Sequence, residues 1–414
     1  MIRILEANQA EKILARRTAR LEEAEAVVKP ILDAVRKKGD KALLDYARKL
    51  DKLDRDTVLV PQAELQAAAQ ELRPEFRNAV KVASNNIRGY SRLQMPKPFR
   101  KALSPGIRLG QILRPLDAVA AYIPSGRYPL PSTLLMTVIP AQVAGVPNIM
   151  VASPRPTPEI YGTSAILEVN SVFQMGGAHA IAAFAFGTKT VPKADRIVGP
   201  GNIYVTAAKK LLAGEVGIDF VAGPTEILII AADGDPRWIA ADMLAQAEHD
   251  DDAAAILLTT SRRLATAVSQ EIEKQLRDLS TAKTARKAID KNSAIFVCNS
   301  LEQAMEISNN FAPEHLSIPE TRLLEMVKHA GAVFVGPNSP EAAGDYAAGP
   351  SHVLPTSGAA RLRGGLSAAD FVKVIAVQEL NGEALRRLGP SITTLARAEG
   401  LEAHARSVEV RLGK

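Results

Sequence analysis

The 414-residue chain holds a single cysteine, Cys298. One cysteine excludes an internal disulfide framework and predicts a protein suited to a reducing cytoplasm. It closes the apolar run Ala294-Ile295-Phe296-Val297 and reads as core filler, as free cysteines commonly are. Aromatic residues make up only 4% of the chain, and 51 basic residues exceed 45 acidic ones by a small, dispersed margin. A nucleic-acid surface needs clustered basic residues with aromatics among them, so solvated surface accounts better for this charge. No apolar run approaches the roughly 18–20 residues needed to cross a bilayer. The opening Met1-Ile2-Arg3-Ile4-Leu5-Glu6 turns charged at once, which predicts no signal peptide.

The length allows two or three domains with real cores. Residues 1 to about 110 are highly charged, with apolar residues at helical spacing, as in Leu43-Leu44-Tyr46-Ala47-Leu50. From about 115 the texture changes to short apolar runs alternating with helical stretches. The runs at 118–123, 148–152, 171–174 and 196–198 form one series. Those at 226–230, 255–258, 294–297 and 332–335 form a second. Strands interleaved with helices imply parallel sheets, and two such series imply two doubly wound halves with ligands at the carboxyl ends of strands. Residues 367–414 carry helical signals but are too short to enclose a core, so they must dock on the body or on another subunit.

Histidine is also scarce, at six residues, yet four of the six sit in polar company. Asp235-Pro236 has the form of an N-cap followed by a first-turn proline. The helix running on from it puts Gln246 and His249 three residues apart on one face, able to meet one ion. Alone, that spacing fits a solvated helix end equally well. Asp345 and His352 flank a Gly-Pro loop and could supply a ligand and a substrate contact, or merely an Asx-turn and a surface histidine. Pro313 suggests that Glu314 and His315 open a short helix, whose dipole would keep the imidazole neutral and able to take a proton. A capping Glu beside a packed His is the plainer alternative. Glycine turns after strands, Gly176-Gly177 and Gly199-Pro200-Gly201, permit close approach of a phosphate-bearing cofactor. Neither turn matches the dinucleotide or P-loop fingerprint.

Taken together and in order, Tyr122-Ile123-Pro124, Gly199-Pro200-Gly201-Asn202, Ala245-Gln246-Ala247-Glu248-His249, Ala312-Pro313-Glu314-His315-Leu316, Gly344-Asp345-Tyr346 and His352-Val353-Leu354-Pro355-Thr356 resemble the histidinol dehydrogenase family. The C-terminal Glu399 and His404 also fit, and the resemblance spans nearly the whole chain. It implies zinc- and NAD-dependent oxidation of L-histidinol through the aldehyde to L-histidine. By the same resemblance Gln246, His249, Asp345 and His404 match zinc ligands, and Glu314 and His315 match proton-transfer residues. Tyr122, His179 and Asn202 match cofactor contacts. Ser132, Thr225, His352 and Glu399 match substrate contacts, around a substrate that the metal ligands and the Glu-His pair also touch. His179 stands where the family usually has Gln, Thr225 where it usually has Ser, and Ser125 where Gly is common.

The expected fold is therefore α/β, with two Rossmann-like doubly wound parallel-sheet domains, a helical N-terminal arm and a helical C-terminal tail. Residues 1–18 form the arm. Residues 19–120 with 227–366 form the domain carrying metal and catalytic residues, and 121–226 form the NAD-binding domain. The tail, 367–414, is exchanged in a homodimer. Two other functions are compatible in outline: a sister dehydrogenase of another small polar alcohol, such as a sulfonated diol, and an inactive homologue. The retained Glu399 and His352 favour histidinol over the first, and the intact Glu-His pair and ligands count against the second.

Overall fold

The computed structural model describes residues 1–14, 21–125 and 128–413. Residues 15–18 of the expected arm, and Gly126 after Ser125, lie outside them. The chain divides into two compact units, Met1–Gln94 with Asp117–Asp370, and Met95–Leu116 with Phe371–Lys414.

The first unit contains two all-parallel sheets. The five-stranded sheet runs Ser171–Gln174, Asn148–Ser153, Ala118–Tyr122, Arg196–Val198, Gly217–Ile218 in space. In chain order this is third, second, first, fourth, fifth, so winding reverses between Ala118–Tyr122 and Arg196–Val198. The six-stranded sheet runs Arg3–Glu6, Ala294–Val297, Ala254–Thr259, Glu226–Ala231, His315–Ile318, Ala332–Val335. Without its edge strand Arg3–Glu6 it repeats the same order, reversing between Glu226–Ala231 and His315–Ile318. The arm thus opens with a strand before its helix Ala10–Leu14.

Central strands here are covered on both faces, so their sequences are apolar throughout rather than alternating. Glu226–Ala231 is buried at every residue. The helix Gly177–Phe186 is apolar apart from His179, and Phe184 at its heart is fully buried. Burial of such a side chain stabilises the fold by roughly 1.5–3 kcal/mol. Among the described residues no helix is long and apolar enough to cross a membrane.

In the second unit, Val372–Leu380 pairs antiparallel with Ile107–Pro115, which pairs antiparallel with Phe99–Ser104. The helical tail is therefore entered through a strand, rich in the β-branched residues that suit one. Helices Gly382–Ala398 and Glu402–Glu409 follow, joined by ion pairs from Arg397 to Glu402 and Glu409.

Candidate active site

A cluster of polar side chains lies at the winding reversal of the six-stranded sheet, but at the amino ends of its strands. Thr225 and Glu226 begin one central strand, and Glu314 and His315 begin its neighbour. This corrects the expectation of carboxyl-end ligands for that half. It also corrects the reading of Glu314-His315 as the start of a helix. Ala312, with φ +53°, closes the preceding helix Leu301–Phe311, and the chain passes through Pro313 into the strand His315–Ile318. His315 therefore opens a strand, and the dipole of a helix of its own is not what sets its charge.

Burial does that work instead. His315 is 3% exposed, and burial drives its pKa down to about 3, so the imidazole is neutral. Its Nδ1 lies 3.2 Å from the Glu226 carbonyl, which only accepts, so Nδ1 carries the proton. Nε2 is left with a free lone pair, buried and without a hydrogen-bond partner among the described residues.

Beside it, Glu314 Oε2 accepts from Thr225 Oγ1 at 2.5 Å and from the Glu226 N–H at 2.9 Å. Burial raises this carboxyl well above its usual range, while those two donors oppose the shift. Two opposed influences of this kind make a group able to give or take a proton.

Gln246 is fully buried near the end of the helix Pro236–Ala247, which begins as expected with Asp235 accepting from the Arg237 N–H. Its amide meets Thr225 Oγ1 at 2.8 Å. With the amide oxygen accepting there, the nitrogen donates to the two carboxylate oxygens of Glu341 at 2.7 and 3.2 Å. His249 lies beyond the helix end, its N–H turned back to the Gln246 carbonyl at 3.4 Å, so a turn rather than helical spacing sets its place. Donor atoms of His249, Glu341 and Asp345 fall within 4.8 Å of one another, and His249 Nε2 is 3.8 Å from Asp345 Oδ2. Burial pushes Asp345 up to about 6 and Glu341 well above the carboxylate range. One imidazole and two buried carboxyls gathered in this way have the donor chemistry of a metal site.

Glu341 did not emerge from the sequence reading. The signal was its place four residues before Asp345, hence on the same face of the helix Glu341–Tyr346. His352 donates from Nδ1 to the Asp345 carbonyl at 2.7 Å, which leaves Nε2 to accept from Thr133 Oγ1 at 3.2 Å. Burial lowers its pKa to about 4. That contact ties the cluster to the helix Pro131–Ala144, where Ser132 is also buried.

The other gathering point is the carboxyl edge of the five-stranded sheet. Tyr122 ends its central strand, 3% exposed, with its hydroxyl accepting from the Gly177 N–H at 3.2 Å. Asn202 is exposed and caps the next helix, accepting from the Tyr204 and Val205 N–H groups. His179 is fully buried, its Nε2 2.7 Å from Asp51 Oδ2 and its ring stacked on Tyr46. Glu399 and His404 belong to the second unit and are exposed there.

A family model described as histidinol dehydrogenase matches residues 14–412. A histidinol dehydrogenase of Geobacter sulfurreducens is 44% identical over 411 residues, 97% of this chain and 96% of the relative. One from Thermus thermophilus is 47% identical over 392 residues, covering 94% of each. A crystal structure of histidinol dehydrogenase from Elizabethkingia anophelis superposes with a TM-score of 0.95 at 35% identity, over 100% of this chain and 98% of that one.

Proposed function

Because the chain belongs to the histidinol dehydrogenase family of oxidoreductases, we propose that it oxidises L-histidinol through L-histidinaldehyde to L-histidine, the closing steps of histidine biosynthesis, using NAD and zinc. The observation that carries this reading is the buried, unpartnered Nε2 of neutral His315, set beside the doubly held carboxyl of Glu314.

His315 Nε2 takes the hydroxyl proton as the alcohol is oxidised. Glu314 then takes a proton from the water that adds to the aldehyde carbon while His315 returns its proton to the carbonyl oxygen, and the neutral His315 takes a hydroxyl proton again as the hydrate loses its second hydride. Thr225 and the Glu226 N–H keep Glu314 aimed through both oxidations. NAD, when bound, accepts the hydride at each oxidation. Tyr122, Asn202 and the turn before His179 are assigned to its side, a role supported by the place of Tyr122 and Asn202 at the winding reversal of the five-stranded sheet and by the bond from the Gly177 N–H to the Tyr122 hydroxyl.

Zinc fits the donor set gathered at His249, Glu341 and Asp345, and when bound it would supply positive charge that orients the substrate's nitrogens. Gln246, His249 and Asp345 are assigned as its ligands, with His404 donated by the tail of a second copy. Ser132, Thr225, His352 and Glu399 are assigned to the substrate. A homodimer is supported by the apolar surface of the second unit, where Val374, Ile375, Leu395 and Val410 are 52%, 44%, 65% and 65% exposed. The free, buried thiol of Cys298 accords with a cytoplasmic enzyme. Chelation should abolish L-histidinol-dependent NADH formation and added zinc should restore it; activity indifferent to chelation would remove the metal from this scheme.

A further inference from the structure

The two glycine turns at the edge of the five-stranded sheet share an internal construction. After Ser171–Gln174, the Gly176 N–H donates inward at 2.8 Å to Asp51, the last residue of the helix Asp40–Asp51. The same carboxylate oxygen accepts from His179 Nε2 at 2.7 Å, two residues beyond Gly177 on the helix that follows. After Arg196–Val198, the Gly199 N–H donates inward at 2.7 Å to Asp219. Lys209, on the helix that follows that turn, binds Asp219 Oδ1 at 2.6 Å and the Gly199 carbonyl at 2.7 Å. Asp51, His179, Lys209 and Asp219 are all buried.

Tyr122 sits between the two turns. Its hydroxyl accepts from Gly177, and its carbonyl lies so close to Gly199 that a Cβ there would approach to 2.2 Å. The N–H groups of Gly176, Gly177 and Gly199 are thus all committed inward. A turn of the dinucleotide-fingerprint kind points such groups at a pyrophosphate. Buried polar pairs are poor investments in stability compared with apolar residues of like volume. Their use beneath both turns, beside the same tyrosine, points to placement as the role.

We propose that Asp51 held by His179, and Asp219 held by Lys209, are positioning residues that fix the two glycine turns and Tyr122 as a shaped wall for the nucleotide. His179 then acts through Asp51 and touches no cofactor. This rests on the NAD assignment, so the unsubstituted, zinc-loaded protein is titrated with NAD by calorimetry first. Absence of binding there defeats the NAD assignment itself.

With binding established, His179→Leu removes the donor to Asp51, while His179→Gln keeps one. Leu is expected to raise the NAD Kd roughly 10–100-fold, the usual cost of losing a supporting contact behind a binding group. It should raise the KM for NAD far more than it lowers kcat, with zinc content unchanged. Gln is expected to recover most of the affinity. Asp51→Asn, which keeps the shape and weakens both inward bonds, should resemble Leu. Wild-type Kd in the Leu variant, or equal weakening by Leu and Gln, would overturn the proposal, the latter because it marks a ring in direct contact. Failure of both His179→Leu and Asp51→Asn to yield folded protein would also overturn it, in favour of a purely structural pair.

Discussion

His315 Nδ1 lies 3.2 Å from the main-chain carbonyl of Glu226, across two neighbouring parallel strands. That contact fixes the tautomer, and the tautomer leaves Nε2 as the only ring atom able to accept a proton. With its pKa driven down to about 3, the ring is uncharged throughout the working range and loses a proton-accepting role only in strong acid. His315→Asn keeps a polar group near the carbonyl but removes the base. NADH formation should drop by roughly 10²–10⁴ with zinc content intact. Unaltered turnover would exclude His315 as the base.

Zinc affinity should depend on pH through Asp345. Burial raises this carboxyl to about 6, so in the metal-free chain it holds its proton well above the usual carboxylate range. Binding displaces that proton. Affinity is therefore expected to be level above about pH 7 and to fall about tenfold for each unit below 6. Competition titrations against a chelator between pH 5 and 8 measure this; a flat profile would mean that Asp345 does not meet the metal as a carboxylate.

What the sequence disclosed and what it hid divide along a physical line. Gln246, His249, Glu314, His315 and Asp345 were identifiable because each lies in a short polar motif, and the Asp235-Pro236 cap because it is purely local. The strand His315–Ile318 was hidden because four residues are too few to show a period. A proline just after a helix also looks like one that begins a helix. Asp51 was invisible for a different reason: its partner His179 lies 128 positions away, and no local pattern joins a helix end to a turn in another layer. Thr133 likewise meets His352 across 219 positions.

Gly199 adopts φ +107°, and an added Cβ would lie 2.2 Å from the Tyr122 carbonyl oxygen. Gly199→Ala combines a left-handed backbone with a main-chain clash that no side-chain rotation relieves. A loss of about 1–3 kcal/mol in unfolding free energy is expected, read from denaturant titration. Unchanged stability would show that the turn can move away from Tyr122.

Donation of His404 by a second copy is open to a complementation experiment. His404→Ala alone should lose zinc. Mixed with His315→Asn and allowed to exchange subunits, it should regain activity, because one site of each mixed dimer then has both histidines. Mixtures as inactive as their parents would show that His404 serves its own chain or none.

Conversion of a primary alcohol to a carboxylate removes two hydrides, and in the proposed function one His-Glu pair serves both oxidations. The most direct measurement is the ratio of NADH formed to L-histidinol consumed by the purified, zinc-loaded protein. Two NADH per histidinol, with L-histidine as the product, is the expected result. One NADH per histidinol with aldehyde released, or no NADH at all, would contradict it.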